Sequence, residues 1–404
     1  MKNRWVALAI IFLSFQQFTL NWFSIVPAFG GIVGDMEISF AEVGVIVGMF
    51  IAGYGIAHIP GGWLAEKYGM RMAMIMGIVV QTVGAALSGW APNYEVLLFA
   101  RLLCGIGGSI YIGSAIGLTA AWFRGKELAL ANGIIQGGGF TTGAAIGLFV
   151  WVPIIAAFGW RGGLLIGAAI GLVTLVFVVL LFPAPPSRSD DVIEGHHLGK
   201  ESLRRVFGNP RLWIMGVAIL GAYGSYFSAA QLLPSYAEMN LNVDSTASSS
   251  IGLILLLAGI PGGLIGGWLT DKVLGVLPTF LVACVIEAIA FLLIPHLGLF
   301  GLQLAAAVIG ITLIAAFVPW VSIPGERDSG FHISDVPTAV GLMLSIAAIG
   351  GALIPPLFSK IAAVWDFDTA WRFQAALTFG CALIALFAMN RKSAKVSETQ
   401  VAGG

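Results

Sequence analysis

The side chains that could do chemistry in this chain are charges set inside apolar runs. Arg101 stands in "RLLCGIGG" and Glu287 in "LVACVIEAIAFLL". An arginine at mid-depth in hydrocarbon costs about 2.5–3.5 kcal/mol on insertion scales, so it must face a cavity or a partner. Gly105 and Gly108, four and seven positions on, share the helical face of Arg101. Three roles for Arg101 stay open at this point: binding an anionic solute, coupling to a proton site, or a structural ion pair near the outer end of its span.

A second chemical feature is a phrase that occurs twice. "IPGGWLAEKYGMR", Ile59 to Arg71, ends an apolar run with two glycines, a tryptophan and a knot of opposite charges, and "GGWLTDK", Gly266 to Lys272, repeats it later. Glycines at a helix end permit a close approach and a tight turn that a side chain would block. Glu66 can meet the positive N-terminal end of a neighbouring helix, worth about 0.3–1 kcal/mol in exposed settings. The plainer reading is that these charges only fix topology. There is no HExxH, GxSxG or pair of membrane-embedded aspartates, so an enzyme is not expected. With no phosphate-cradling P-loop, ATP is not expected as the energy source. Cys104, Cys284 and Cys381 lie in apolar segments at no metal-ligand spacing and read as small buried hydrophobes. No metal or cofactor is expected.

The elements that carry these residues follow from composition. The 404 residues are 58% hydrophobic and 10% charged, with 54 glycines and a formal net charge of zero. A soluble domain is about 25% charged. Runs of roughly 18 or more apolar residues recur from end to end, each long enough to cross about 30 Å of hydrocarbon as a helix. The reading is an all-α integral membrane protein of about twelve spans. The absence of a basic stripe with interleaved aromatics argues against a nucleic-acid partner. The only long polar segment runs from Pro183 to Arg211 and divides the spans six and six. Domains are expected at 1–182 and 211–404, joined by a linker at 183–210 in which "KESLRRVF" forms a short amphipathic helix. His196 and His197 read as part of that solvated linker.

Lys67, Arg71, Arg124, Lys126, Arg188 to Arg211, Lys272, Arg327 and the tail residues Arg391, Lys392 and Lys395 fall on one side of this topology. The other side holds little beyond Arg161, Lys360 and Arg372. By the positive-inside pattern both termini are cytoplasmic, in the plasma (inner) membrane. Both copies of the glycine and charge phrase follow the second span of a six-span half, so the chain reads as a duplicated bundle with the same hinge in each half. Parallel halves that rock on one another around a midplane site are a transporter plan.

On these residues the sequence resembles the major facilitator superfamily over essentially its whole length. The family's loop pattern between the second and third helices is filled by Gly62, Leu64, Glu66, Lys67, Gly69 and Arg71, with Met70 departing where a base is common. The resemblance implies a latch role for Glu66 against the eleventh helix, and gating roles for its neighbours. The second copy keeps Gly267, Leu269, Asp271 and Lys272 and then runs into "VLGV". "RLLCGIGG", "AAWFRGKELALANG" and the glycine seam Gly139, Gly143, Gly147 look like the nitrate and nitrite porter branch. That branch's substrate arginines, in the second and eighth spans, are missing; the second span carries His58 instead. The antiporter signature's Gly-Pro pair is also absent before Pro153. Gly105 and the seam glycines read as helix-packing positions.

In the family the first, fourth, seventh and tenth spans line the cavity. This implies Gln17, Asn21, Trp22, Arg101, Ser109, Tyr111, Tyr223, Tyr226 and Gln231 as candidates to touch solute, joined by Gln136 of the fifth span. Glu287 lies in the ninth span, peripheral in the family. It reads as a helix-to-helix hydrogen bond or a protonated acid ahead of a coupling site. The expected function is a monomeric secondary active transporter for a small polar solute, organic and inorganic anions included. It would work by alternating access and symport with protons or another ion. The competing class is a non-transporting membrane receptor or scaffold on the same fold.

Overall fold

A backbone in hydrocarbon must satisfy its N–H and C=O groups internally, and this chain does so with helices. The computed structural model describes residues 2–38, 40–125, 127–183 and 200–387. His196, His197, Lys126, most of the 183–210 linker and the basic tail lie outside the described residues. Among the described residues twelve long helices occur in chain order: α1 Lys2–Phe23, α2 Phe40–Tyr68, α3 Met70–Trp90, α4 Tyr94–Phe123, α5 128–158 and α6 160–181. The rest are α7 Pro210–Leu241, α8 245–274, α9 Val276–Leu293, α10 Leu299–Ser322, α11 Val336–Val364 and α12 Phe367–Ile384. Short helices at Phe29–Met36 and Lys200–Phe207 accompany them. Among the described residues ten stretches are long and apolar enough to cross a membrane by length and composition; one of them, Leu128–Leu181, contains both α5 and α6, and α12 is not among the ten. Gly159, with φ 69 and ψ 169, makes the break between those two, a conformation an L side chain resists.

Helix starts are written in the sequence. Asn93, Asn209, Asp244 and Asp366 accept from the backbone N–H of Val96, Arg211, Ala247 and Thr369. Such an N-cap is worth about 1 kcal/mol. The Thr369 backbone N–H also holds the exposed Asp366 carboxyl below the usual carboxylate range.

The contacts divide the chain into two compact units. The first is Met1–Arg204 with Ser322–Gly341, and the second is Arg205–Val321 with Leu342–Gly404. Each unit repeats one packing scheme. In the first, a Cβ at Gly61 would lie 2.8 Å from the Ile110 Cα, and one at Gly105 would overlap the Phe50 carbonyl. In the second, a Cβ at Gly266 would lie 2.5 Å from the Ala315 Cα, and one at Gly310 would overlap the Leu255 carbonyl. One sequence offset carries all four first-unit residues onto their second-unit counterparts. Glycine lets α2 approach α4, and α8 approach α10, to backbone contact at the same two levels in each half.

The turns after these helices also match, with one adjustment. Gly69 (φ 84) ends the α2 turn and Gly275 (φ 80) ends the α8 turn, each in a region that favours glycine. The second copy has one more residue between its glycine pair and the turn glycine. It is taken up by a π-helical turn at Thr270–Leu274, which closes i→i+5 and so holds one residue more than an α turn. "VLGV" therefore supplies the counterpart of Gly69 one position late.

Candidate functional site

The first group of predicted residues surrounds the α2–α3 turn and holds the segment Ser322–Gly341, which the first unit includes. A Cβ at Gly62 would lie 2.7 Å from the Thr338 nitrogen, and one at Gly341 2.5 Å from the His58 carbonyl. Numbers rise along one helix as they fall along the other, so α2 and the start of α11 run antiparallel. Glu66, one turn beyond Gly62 and 5% exposed, then falls level with residues 333–336, where α11 begins. Orphan N–H groups at such a helix start favour a carboxylate.

Other first-unit side chains clasp the same segment. Arg124 donates to the Glu326 carbonyl at 3.1 Å and the Phe331 carbonyl at 3.0 Å. Asn132 Nδ2 donates to Ser322 Oγ at 2.8 Å. Ser202, on the short helix Lys200–Phe207, donates to the fully buried Asp335 Oδ1 at 2.7 Å. The opposite oxygen of Asp335 takes the His332 N–H at 3.2 Å. The bases of the loop point elsewhere. Lys67 lies over Trp63 and Tyr68 at 4.8 and 5.1 Å, and Arg71 donates to the Val179 carbonyl near the end of α6 at 2.9 Å. In the second unit Gly267 is buried, while Lys272 is exposed.

The second group lies inside the first unit, where α1, α2, α4 and α5 meet. Arg101 is 1% exposed; Nη1 donates to the Asn21 carbonyl at 3.2 Å and Nη2 to the Trp22 carbonyl at 3.1 Å. Both carbonyls belong to the last turn of α1, which has no intrahelical donors to meet them, so the guanidinium caps α1 and complements its negative end. Its face lies over Phe50 at 5.0 Å, and among the described residues no carboxylate pairs with it. Trp22 stacks on Phe50 at 4.7 Å and leans on Tyr54 at 5.2 Å, and Phe140 meets Trp22 edge-on at 6.2 Å.

Below this cage His58 Nδ1 and Ser109 Oγ are 2.7 Å apart, and Tyr54 meets the imidazole edge at 4.4 Å. The other ring nitrogen of His58 is buried without a hydrogen-bond partner. Gln136 is 4% exposed with its Nε2 unpartnered, inside a π-helical stretch of α5, Ile134–Phe140. Arg101, Trp22, Ser109 and Gln136 are binding candidates from the sequence, whereas His58 and Tyr54 join them only in the structure. Their spacing of four on one helix face was the available signal.

The other candidates sit apart. Asn21 ties α1 to α6 through the Gly167 carbonyl at 3.1 Å, and Gln17 faces Gln81 of α3 at 3.4 Å. Tyr111 is fully buried and donates to the Ile11 carbonyl at 2.9 Å. Gly139, Gly143 and Gly147 all face α1, at Phe15, Thr19 and Leu20. In the second unit Tyr223 and Tyr226 pack on Phe227 at 4.9 and 5.5 Å, whereas Gln231 is exposed. A groove of about 610 Å³ between α1, α5 and α6 is lined mainly by Leu13, Ile146, Ile170, Val173 and Phe177 and opens on an apolar outer face. Acyl chains suit that lining, and it lies away from Arg101.

Comparison with known proteins accords with the fold. A crystal structure of the Escherichia coli fucose:proton symporter FucP matches with a TM-score of 0.77 at 16% identity, covering 96% of this chain and 99% of that one. The sialic acid transporter NanX of Escherichia coli is 26% identical over 341 residues, 80% of this chain and 79% of that protein. The probable nitrate/nitrite antiporter NarK1 of Thermus thermophilus is 26% identical over 412 residues, 94% of this chain and 89% of that protein. In two further curated relatives the chain spans only about half of the length, 55% and 46%. The Major Facilitator Superfamily profile matches residues 8–327, most of the chain, and the protein belongs to that superfamily.

Proposed function

We propose that this chain is an ion-coupled secondary transporter for a small anion, with the solute held in the aromatic cage beside Arg101. One observation carries the choice of an anion. Arg101 is a buried cation with main-chain carbonyls for partners and no carboxylate beside it among the described residues. An uncompensated buried charge is costly, and an arriving anion offsets that cost. Trp22, Tyr54 and Phe50 supply apolar walls, while His58 Nε2 and Gln136 Nε2 are buried polar atoms still without partners. Two of the relatives, a sialic acid transporter and a probable nitrate/nitrite antiporter, support the same class of solute. Both termini are cytoplasmic in this reading, as the arginine and lysine distribution implies. Movement of Ser322–Gly341 out of its clasp by Gly62, Arg124 and Asn132 is then the opening of the inner gate.

The test is uptake by proteoliposomes offered nitrate, a sialic acid, a sugar acid and a neutral sugar, with and without a pH gradient. Accumulation of at least one anion, and of no neutral sugar, is expected. Uptake of the neutral sugar alone rules the reading out.

A further inference from the structure

We propose that Glu287, at the junction of α7, α9 and α12 in the second unit, is a proton-binding site whose carboxyl is neutral in this arrangement and ionises when the junction rearranges. Glu287 is 0% exposed, and neither carboxyl oxygen has a hydrogen-bond partner. Gln374 of α12 is also 0% exposed, with both amide atoms unpartnered. The register between the helices is fixed at two levels. Phe291 stacks on Trp371 at 6.2 Å with an interplanar angle of 7°, and Cys284 lies within electrostatic reach of Cys381. Those pairs make α9 and α12 antiparallel and set Glu287 between the levels of Gln374 and Thr378. Thr378 Oγ1 bonds Ser225 Oγ of α7 at 3.1 Å, and the next residue, Tyr226, lies within electrostatic reach of Glu287.

Among the described residues no cation stands beside Glu287 to hold a carboxylate. At its level stand Tyr226 from α7, Gln374 and Thr378 from α12, and Cys284 from α9 itself, with Tyr223 next to Tyr226 and with Trp371 and Cys381 at the flanking levels of α12. The nearest charged pair along the chain, Asp271 and Lys272, precedes the start of α9, about 16 Å away at 1.5 Å per residue, and His296 follows it at about 13 Å. A carboxylate desolvated without a cation or a donor is far more costly than a neutral acid, so the group holds its proton here. Packing alone does not explain it, because an apolar residue would fill the same space with no orphaned oxygens.

Gln374 explains the other half of the cycle. Its amide N–H groups and the Tyr226 hydroxyl are donors at the right level to receive a carboxylate once the side chains turn. The step is a simple proton release: the carboxyl O–H bond breaks, its electrons stay on oxygen, and the proton passes to water; the reverse step takes one up. The role in coupling rests on the transport reading above, whereas the neutral carboxyl does not.

Infrared spectroscopy of the purified chain separates the two. At neutral pH wild type is expected to show the carbonyl stretch of a protonated carboxylic acid in apolar surroundings, shifted in D2O and absent from Glu287→Gln. Equal intensity in both proteins overturns the proposal, whatever the solute. A band removed by sodium ions at constant pH overturns it in favour of a sodium site. In proteoliposomes Glu287→Gln is expected to keep solute exchange and lose accumulation driven by a pH gradient. Wild-type accumulation by that variant overturns the coupling role. If Glu287→Gln does not fold, Glu287→Asp decides instead, since it must move the band; an unmoved band is equally fatal. A wild type with the band but no transport of any solute leaves the proton site standing and removes the transport reading.

Discussion

Arg101 serves the scaffold as the cap of α1 and, in the proposed function, would serve the solute as well. Its two carbonyl acceptors make it the cap of α1, with charge-assisted bonds of about 1.5–3 kcal/mol each. Arg101→Ala is therefore expected to lower the thermal midpoint by several degrees and also to weaken anion binding. Arg101→Lys keeps the charge but loses the planar fork that reaches two acceptors. It should preserve more of the stability than alanine while still losing affinity. Thermal unfolding in detergent and equilibrium binding on both variants check this, and unchanged affinity in Arg101→Ala would remove the guanidinium from the solute site. The sequence placed Arg101 inside a span and on a glycine face, but its partners lie eighty positions away and no spacing announces them.

At the scale of elements, the α2–α11 contact and the π turn of α8 each make a claim. Gly62→Ala puts a methyl into the Thr338 backbone, which has no flexible end to move. It is expected to loosen Ser322–Gly341 and to slow transport about tenfold, a barrier change of about 1.4 kcal/mol. Greater protease cleavage within 322–335 is the accompanying readout. Glu66→Gln removes charge but not shape, so transport should slow while solute affinity stays within a few fold; a loss of binding with unchanged gating would count against the latch. In the second unit, deletion of Val273 gives α8 the spacing of α2. The expected result is a folded protein with Gly275 still at the turn and a thermal midpoint within a few degrees of wild type. Collapse of expression or folding would show that the π turn is required.

For the whole molecule, the claim is an energy source. A duplicated bundle with matched packing in each half and no nucleotide-cradling loop should run on ion gradients. In sealed vesicles containing only the purified chain, uptake is expected to respond to an imposed ion gradient and to be indifferent to ATP. Uptake that requires ATP hydrolysis by this chain would end that account.

Composition and run length alone determined the class of the molecule, because about 30 Å of hydrocarbon admits few backbone solutions and this chain has too few charges for any other. The twelve helices, the duplicated hinge and the turn at Gly69 were legible for that reason: each rests on a local rule of length, periodicity or positive φ. Even Gly275 was visible as a glycine, though its equivalence to Gly69 depended on a π turn that no local pattern shows. What only the tertiary structure decided were the pairings between distant positions: Arg101 with the end of α1, Gly62 with Thr338, His58 with Ser109, and Glu287 at the level of Gln374. Ser322–Gly341, which the sequence division leaves with the second half, joins the first unit through just such contacts. In a membrane the apolar faces of helices look alike to one another and to lipid, so which helices meet is set by small-residue fit and a few buried polar groups, and neither has a period along the chain.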